Sequence, residues 1–495
     1  MRQRLFLVGM SLMISSGCKT PPSAEPPRAT PAGAFEVPVP ESFRLSNGVE
    51  VWHLASRQVP MVSLALLLRF GSTSDPPGKE GLAALTADML DEGAGARGAL
   101  EIAEEIDHLG AELGIDAQKE HLQITLGVLR RNLDAALDLL ADVVLRPSFA
   151  DGEWDRVKAL MLNDLIQRRE EPRDVARVVS ERVFYGDANP YGHPLDGYEA
   201  SVRSIELADV RKFYADHARP DAAIVMVAGD ISADELRQKL ESRLGGWKAQ
   251  GAAPSPPQYP AASPEKAAPS GPRVIVVDKP EAPQTEVRVL LPGPRYAAAD
   301  LGPLALANTV LGGTFTSRLV TNLRERNGFT YGASSLLVAR GATGHLVAGS
   351  AVYRDKTAAA LVEVCRELRA METGRFEDEE LAKSRSTHKS RLVESLETQD
   401  SILGLYSLSA ALGFGPSERR DFHRRTAAST PAEIQEAARR YYAWDRSTIV
   451  LVGDKASIEA QLTEARANPP KDLAGRPCTF GPSEVLGRDG EPPSP

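Results

Sequence analysis

The chain alternates between short apolar runs and segments in which apolar residues return every three or four positions. "MVSLALLLRF" from Met61, "EHLQITLGVL" from Glu120 and "AAIVMVAG" from Ala222 are strand candidates, the last a buried one. "FRLSNGVEVWHL" alternates around Asn47-Gly48 and predicts a β-hairpin. "GALEIAEEIDHLG" and "NLDAALDLLADVVL" carry helical spacing, and a long helical run from Asp151 is interrupted at Pro172. "EGLAALTADMLDEG", Glu80 to Gly93, predicts an amphipathic helix with Leu82, Leu85, Met89 and Leu90 on its apolar face. Its other face holds only Ala84, Ala87 and Asp88. Helices and strands mix without strict alternation. The fold class expected is therefore α+β, with antiparallel-rich mixed sheets and helices packed on one face.

The pattern occurs twice. "AAIVMVAGDISADELRQKL" from Ala222 and "STIVLVGDKASIEAQL" from Ser447 each read as a buried strand, a Gly-Asp turn and an amphipathic helix. "ELADVRKFYADH" and "EIQEAARRYYAW" precede them. Near the start of each half a strand leads into a helix: "MVSLALLLRFGS" into "GLAALTADML", and "TEVRVLLPGPR" into "LGPLALANTVLGG". The offset is far too long for a solenoid repeat and suits a duplicated domain. The domains expected are residues 42–248 and 273–467, joined by a Pro-rich linker over 249–272 and followed by a polar tail over 468–495. That linker would permit large hinge motion.

Composition narrows the class. The chain has 495 residues, a formal net charge of -9 and no Lys/Arg-rich block, which argues against a nucleic-acid partner. "MRQRLFLVGMSLMISSGC" has a basic start, a short apolar run and small residues before Cys18, as a secretory signal peptide does over residues 1–18. Its ending resembles a bacterial lipobox, with Ser15 where leucine is usual. Cys18 is the expected lipidation site, residues 19–41 a flexible tether, and the periplasm-facing envelope the expected location. Of the remaining cysteines, Cys365 reads as a buried helix residue and Cys478 as part of the tail, with a disulfide between them in the periplasm the less favoured alternative.

The order of "GSTSDPPGKEGLAALTADMLDEG", "IDHLGAELGIDAQKEHLQITLGVL" and "RPSFADGEWDRVKALMLNDLIQRREEP" resembles the N-terminal domain of the pitrilysin/insulinase zinc metallopeptidases, which include the mitochondrial processing peptidases. "VIVVDKPEAPQTEVRV" and "LANTVLGGTFTSRLVTNLRERNGFTYGASS" resemble that family's second domain. The resemblance spans roughly residues 42 to 465 and implies two homologous domains arranged as a clam-like chamber. Active members carry H-x-x-E-H on the helix after the second strand. Residues at i and i+4 share a helix face, so both imidazoles reach one zinc, and the intervening glutamate polarises its water. Here the histidine positions fall on Ala84 and Asp88, the base position on Ala87 and the third ligand on Asp164. An alanine methyl neither binds metal nor accepts a proton. No metal is expected in this chain. Asp88 and Asp164 read as ordinary polar helix residues, against an alternative in which they hold a hard cation through oxygen. His108 and His121 read as surface or packing histidines, since neither has a partner at i+4.

In the second half the resemblance places Arg318 and Tyr331 in the cleft opposite the zinc, donating to the peptide and to the developing oxyanion. Gly312 and Gly313 read as allowing a tight turn and close approach of backbone or peptide, and are counted with the substrate-binding positions. No G-x-S-x-G elbow and no phosphate loop suggests another enzyme. The resemblance thus implies a non-catalytic, substrate-binding partner of a zinc-carrying homologue that acts on unfolded peptides, with zinc in the partner. A structural or peptide-binding scaffold with no part in proteolysis is the alternative.

Overall fold

A computed structural model describes residues 36–251, 253–255, 257–259 and 271–492. The signal peptide, Cys18, most of the tether and much of the linker lie outside the described residues. From Pro38 onward the chain forms one compact unit.

Two six-stranded sheets organise it. The first contains β1 (Glu41–Arg44), β2 (Glu50–Ala55), β3 (Met61–Leu68), β4 (Glu112–Ala117), β5 (Leu122–Leu129) and β6 (Ala223–Gly229). The second contains β7 (Arg273–Asp278), β8 (Gln284–Gly293), β9 (Thr330–Ala339), β10 (Gly344–Tyr353), β11 (Thr448–Gly453) and β12 (Ser483–Leu486). The first is ordered β1-β2-β6-β3-β5-β4 and the second β12-β7-β11-β8-β10-β9. Omitting the outer strands β1 and β12, the two orders are the same walk through the chain. Both sheets are mixed and mostly antiparallel: β2 and β6 pair parallel in the first, as β7 does with β11 and β12 in the second. The Asn47-Gly48 hairpin forms as expected, with Gly48 at φ 95° and β1 antiparallel to β2.

The helices that shape the sites are α1 (Leu82–Asp88), α2 (Asp151–Arg168), α3 (Pro172–Tyr185), α4 (Leu301–Gly312), α5 (Thr357–Glu372), α6 (Asp378–Glu394) and α7 (Gln399–Ala411). Each sheet carries helices of its own half on one face. The other face takes a helix from the opposite half. α3 packs on β8 and β11 of the second sheet, and α7 packs on β3 and β6 of the first. The strands explain this exchange: every residue of β6 and of β11 is buried, so each has two apolar faces to cover. Val175, Val179, Val183 and Phe184 of α3 join Ile275, Val277, Leu290, Val347, Val450 and Val452 in one cluster. Each such side chain contributes about 1.5–3 kcal/mol on burial.

One expectation changes here, and one gains a structural context. The linker's length would permit hinge motion, and such motion would require both exchanged helices to leave their sheets. Tyr259 of the linker itself stacks on Tyr191, with ring centroids 4.8 Å apart. The tail over 468–495 is not a polar trailer. It contributes β12 beside β7, and Cys478 forms a disulfide with Cys365 of α5, both fully buried. A Pro/Gly-rich sequence of low apolar content hides this, because the segment is ordered by a sheet edge and a distant cysteine.

Candidate functional site

α1 begins after Gly81, whose φ of 101° lets the chain turn into the helix. Asp75 caps it, its carboxylate accepting from the Gly81 and Ala83 backbone N–H groups at 2.8 Å each. Leu82, Leu85, Met89 and Leu90 are buried, as the helical spacing requires. Asp88 is exposed into a cleft of about 520 Å³ that Ala84 and Ala87 also line.

Asp164 projects from α2 into the same cleft. Asp91, Glu92, Asp116 and Asp196 join it, so six carboxylates face one guanidinium, that of Arg156. Arg156 is held by Glu92 and by Glu153 at 2.8 Å, and Asp196 by Arg168 at 2.8 Å. The cleft walls strip water from Asp88, and Asp91, Asp116, Asp164 and Glu92 repel its charge. Together these push its carboxyl up to about 6. No ion pair ties Asp164 among the described residues.

The residues present do not fit zinc. Two histidine positions and the base position are Ala84, Asp88 and Ala87. Among the described residues no group of three His, Cys, Asp or Glu side chains is placed to hold a metal ion. A Zn²⁺ site needs three or four converging ligands, and a hard-cation site needs more oxygens than Asp88 and Asp164 supply. His108 is exposed near the end of its helix. His121 is buried, and burial lowers its pKa.

In the second half Arg318 and Tyr331 lie apart. Arg318 lines a separate cleft of about 530 Å³, rich in hydroxyls from Thr314, Thr316, Ser317 and Thr321. Its guanidinium closes on Glu380 of α6, Nε to Oε1 at 2.7 Å and Nη2 to Oε2 at 2.6 Å. Nη2 also donates to the Arg375 carbonyl at 2.9 Å, and the plane lies over Phe376. Burial disfavours its charge, but Glu380 outweighs burial and raises its pKa. Tyr331 sits on the edge strand β9, 77% exposed, edge-on to Tyr353 with ring centroids 6.1 Å apart. No hydrogen bond or ring contact joins it to Arg318, and it does not line the Arg318 cleft.

Gly312 and Gly313 serve packing. A Cβ on Gly312 would lie 2.3 Å from the Ser335 backbone nitrogen, so glycine lets α4 lie against β9. A Cβ on Gly313 would lie 2.7 Å from the Thr309 Cα.

A charged layer that no local sequence pattern announces lies where the two halves meet. Lys119 and Glu181 pair at 3.1 Å with both side chains nearly buried, and Arg340 stands 3.9 Å from Glu181. Tyr185 and His345 share a hydrogen bond of 2.6 Å. Burial lowers the His345 pKa to about 4, leaving the ring neutral at pH 7. A lone Glu181 between "VVS" and "RVF" on a helix gives no sign that it will be buried, since its partners come from β10 and from loops far away in sequence.

Comparison with known proteins agrees with this architecture. Residues 51–188 match the family model described as insulinase (peptidase family M16), and residues 204–387 the one described as peptidase M16 inactive domain. The chain is 27% identical over 287 residues to the non-peptidase homolog YmxG of Helicobacter pylori, covering 57% of this chain and 63% of that protein. It is 24% identical over 359 residues to the uncharacterized zinc protease YmxG of Bacillus subtilis, covering 72% and 85%. The fold matches the crystal structure of a peptidase M16 inactive domain from Pseudomonas fluorescens, with TM-score 0.76 and 24% identity over 84% of this chain and 98% of that one. It also matches a protease from Helicobacter pylori, with TM-score 0.77 and 18% identity over 84% and 100%. With both family models in chain order over well over half its length, and with the residues of the zinc motif replaced, this chain belongs to the insulinase (M16) family of peptidases.

Proposed function

We propose that this chain is a non-catalytic, peptide-binding subunit that works beside a zinc-carrying homologue on unfolded polypeptides, in a chamber formed between the two. The observation that carries the reading is α1. The helix keeps its cap, its buried face and its place on a cleft, while Ala84, Ala87 and Asp88 occupy the positions of two ligands and a base. Tyr331, largely exposed on an edge strand, is the donor this chain can offer to a bound peptide. An envelope location through lipidated Cys18 is part of the proposal.

The braced state of Arg318 favours a second reading, a peptide-binding scaffold without a part in proteolysis. A guanidinium already bidentate on Glu380 has fewer donors left for an oxyanion. One experiment separates the two. The chain is purified alone and co-purified with an H-x-x-E-H homologue, and peptide hydrolysis is measured with Tyr331 intact and as Tyr331→Phe. Turnover only in the pair, reduced in the variant, supports the partner role. Turnover by the isolated chain defeats both readings, and a pair indifferent to Tyr331→Phe leaves the scaffold.

A further inference from the structure

The last 25 described residues tie the second half of the molecule to the joint between α2 and α3 in the first. The Cys365–Cys478 disulfide anchors them across a sequence separation of 113. Around it Trp444 donates to the Thr479 carbonyl at 3.2 Å, and Phe480 lies edge-on to Trp444. Arg466 holds the Gly481 carbonyl at 2.8 Å. β12 then runs parallel to β7, and Leu486 is buried in the cluster that α3 forms with the second sheet.

Beyond β12 the chain crosses to the first half. Arg182 of α3 donates to the Asp489 carbonyl at 2.7 Å, and Arg488 donates to the Arg169 carbonyl at 3.1 Å. The Asp489 carboxylate faces Arg168 at 3.5 Å and Arg169 at 3.6 Å. Arg168 is nearly buried and has two further tasks: it pairs with Asp196 at 2.8 Å and donates to the Gly197 carbonyl at 3.0 Å. Asp196 lines the acidic cleft, and Asp164 stands one turn before Arg168 on α2.

We propose that residues 468–492 form a clasp, anchored by the disulfide in the second half and docked through Arg488 and Asp489 on the first. The clasp holds the α2–α3 joint and, through Arg168 and Asp196, one wall of the acidic cleft. The hydrogen-bonded, ion-paired tip follows directly on β12 and the buried Leu486, so its occupancy depends on that chain behind it being pinned. Opening the disulfide with a dithiol transfers two electrons and two protons, leaves two thiols on this chain and oxidises the dithiol.

The test is backbone hydrogen exchange on the full chain in three forms: oxidised, Cys365→Ser/Cys478→Ser, and Arg488→Ala/Asp489→Ala with the disulfide intact. The clasp predicts that exchange over residues 168–185 and 196–197 rises by about tenfold in both variants. Exchange confined to 483–492, with 168–185 and 196–197 unchanged, overturns it and makes the segment a passive tail. Should the cysteine variant not fold, the Arg488/Asp489 variant decides alone, because it leaves the core and the disulfide untouched.

Discussion

Arg318 and Glu380, both lining the second-half cleft, form a two-pronged ion pair with donor–acceptor distances of 2.7 and 2.6 Å. Burial raises the Glu380 carboxyl, but hydrogen bonds from Arg318 and the Glu377 backbone outweigh it and hold the pKa below its ordinary value. A depressed folded-state pKa contributes stability above the unfolded value of about 4.3, lost as pH falls through the folded one. Arg318→Ala should therefore cost about 1–3 kcal/mol at pH 7 in urea unfolding, and the Glu380→Gln protein should lose less stability than wild type between neutral pH and the acid limb. A double-mutant cycle with near-zero coupling would show the pair to be incidental.

Asp88 has the opposite sign. Its pKa of about 6 lies above the ordinary carboxylate value, through partial desolvation by the cleft walls first and neighbouring carboxylates second. Stability from such a group is fully present below the unfolded pKa of about 3.9 and is lost as pH rises through about 6. Asp88→Asn should raise the melting temperature at pH 7.5 and leave it unchanged at pH 3.5. Equal shifts at both pH values would assign the gain to something other than charge.

Rebuilding the motif tests whether α1 still has the geometry of a metal helix. Ala84→His/Ala87→Glu/Asp88→His would set two imidazoles at i and i+4 on the cleft face, with Asp164 on α2 beside them. The triple variant should bind one zinc ion per chain by metal analysis after dialysis, and adding Asp164→Ala should weaken binding by about 10–100-fold. Wild type should bind none under the same conditions.

Lys119 and Glu181 are the buried pair at the junction of the halves. Lys119→Met leaves Glu181 facing only Arg340 at 3.9 Å and should cost about 3–5 kcal/mol. Lys119→Met/Glu181→Leu should recover part of that loss, measured by chemical denaturation, because the uncompensated charge is gone.

Gly312→Ala should destabilise by about 1–3 kcal/mol, since its Cβ would sit 2.3 Å from a backbone nitrogen of β9 that cannot yield. Gly404→Ala on α7, where nothing lies within 4 Å of the new methyl, should be neutral or stabilise by up to about 1 kcal/mol. Similar effects at both would remove close packing as the reason for Gly312.

The sequence by itself determined what depends on local order. Period-two and period-three-to-four spacing placed the Asn47-Gly48 hairpin, the buried face of α1 and the strands β3, β5 and β6, because side-chain spacing along one element is a property of that element. The duplicated strand–turn–helix pattern announced two like halves. The empty positions Ala84, Ala87 and Asp88 were legible because a helix motif is read within five residues.

Only the tertiary structure decided what depends on contacts between distant segments. The exchange of α3 and α7 follows from two-faced apolar strands, yet no spacing rule says which helix covers the second face. Arg318 meets Glu380, 62 positions away, a partner that the motif does not name. Cys365 and Cys478 join only because α5 and the tail are brought together by the second sheet. Burial of Lys119 and Glu181 required the two halves to close over them. In each case the deciding free energy lies in desolvation and pairing across the fold, which a linear pattern does not record.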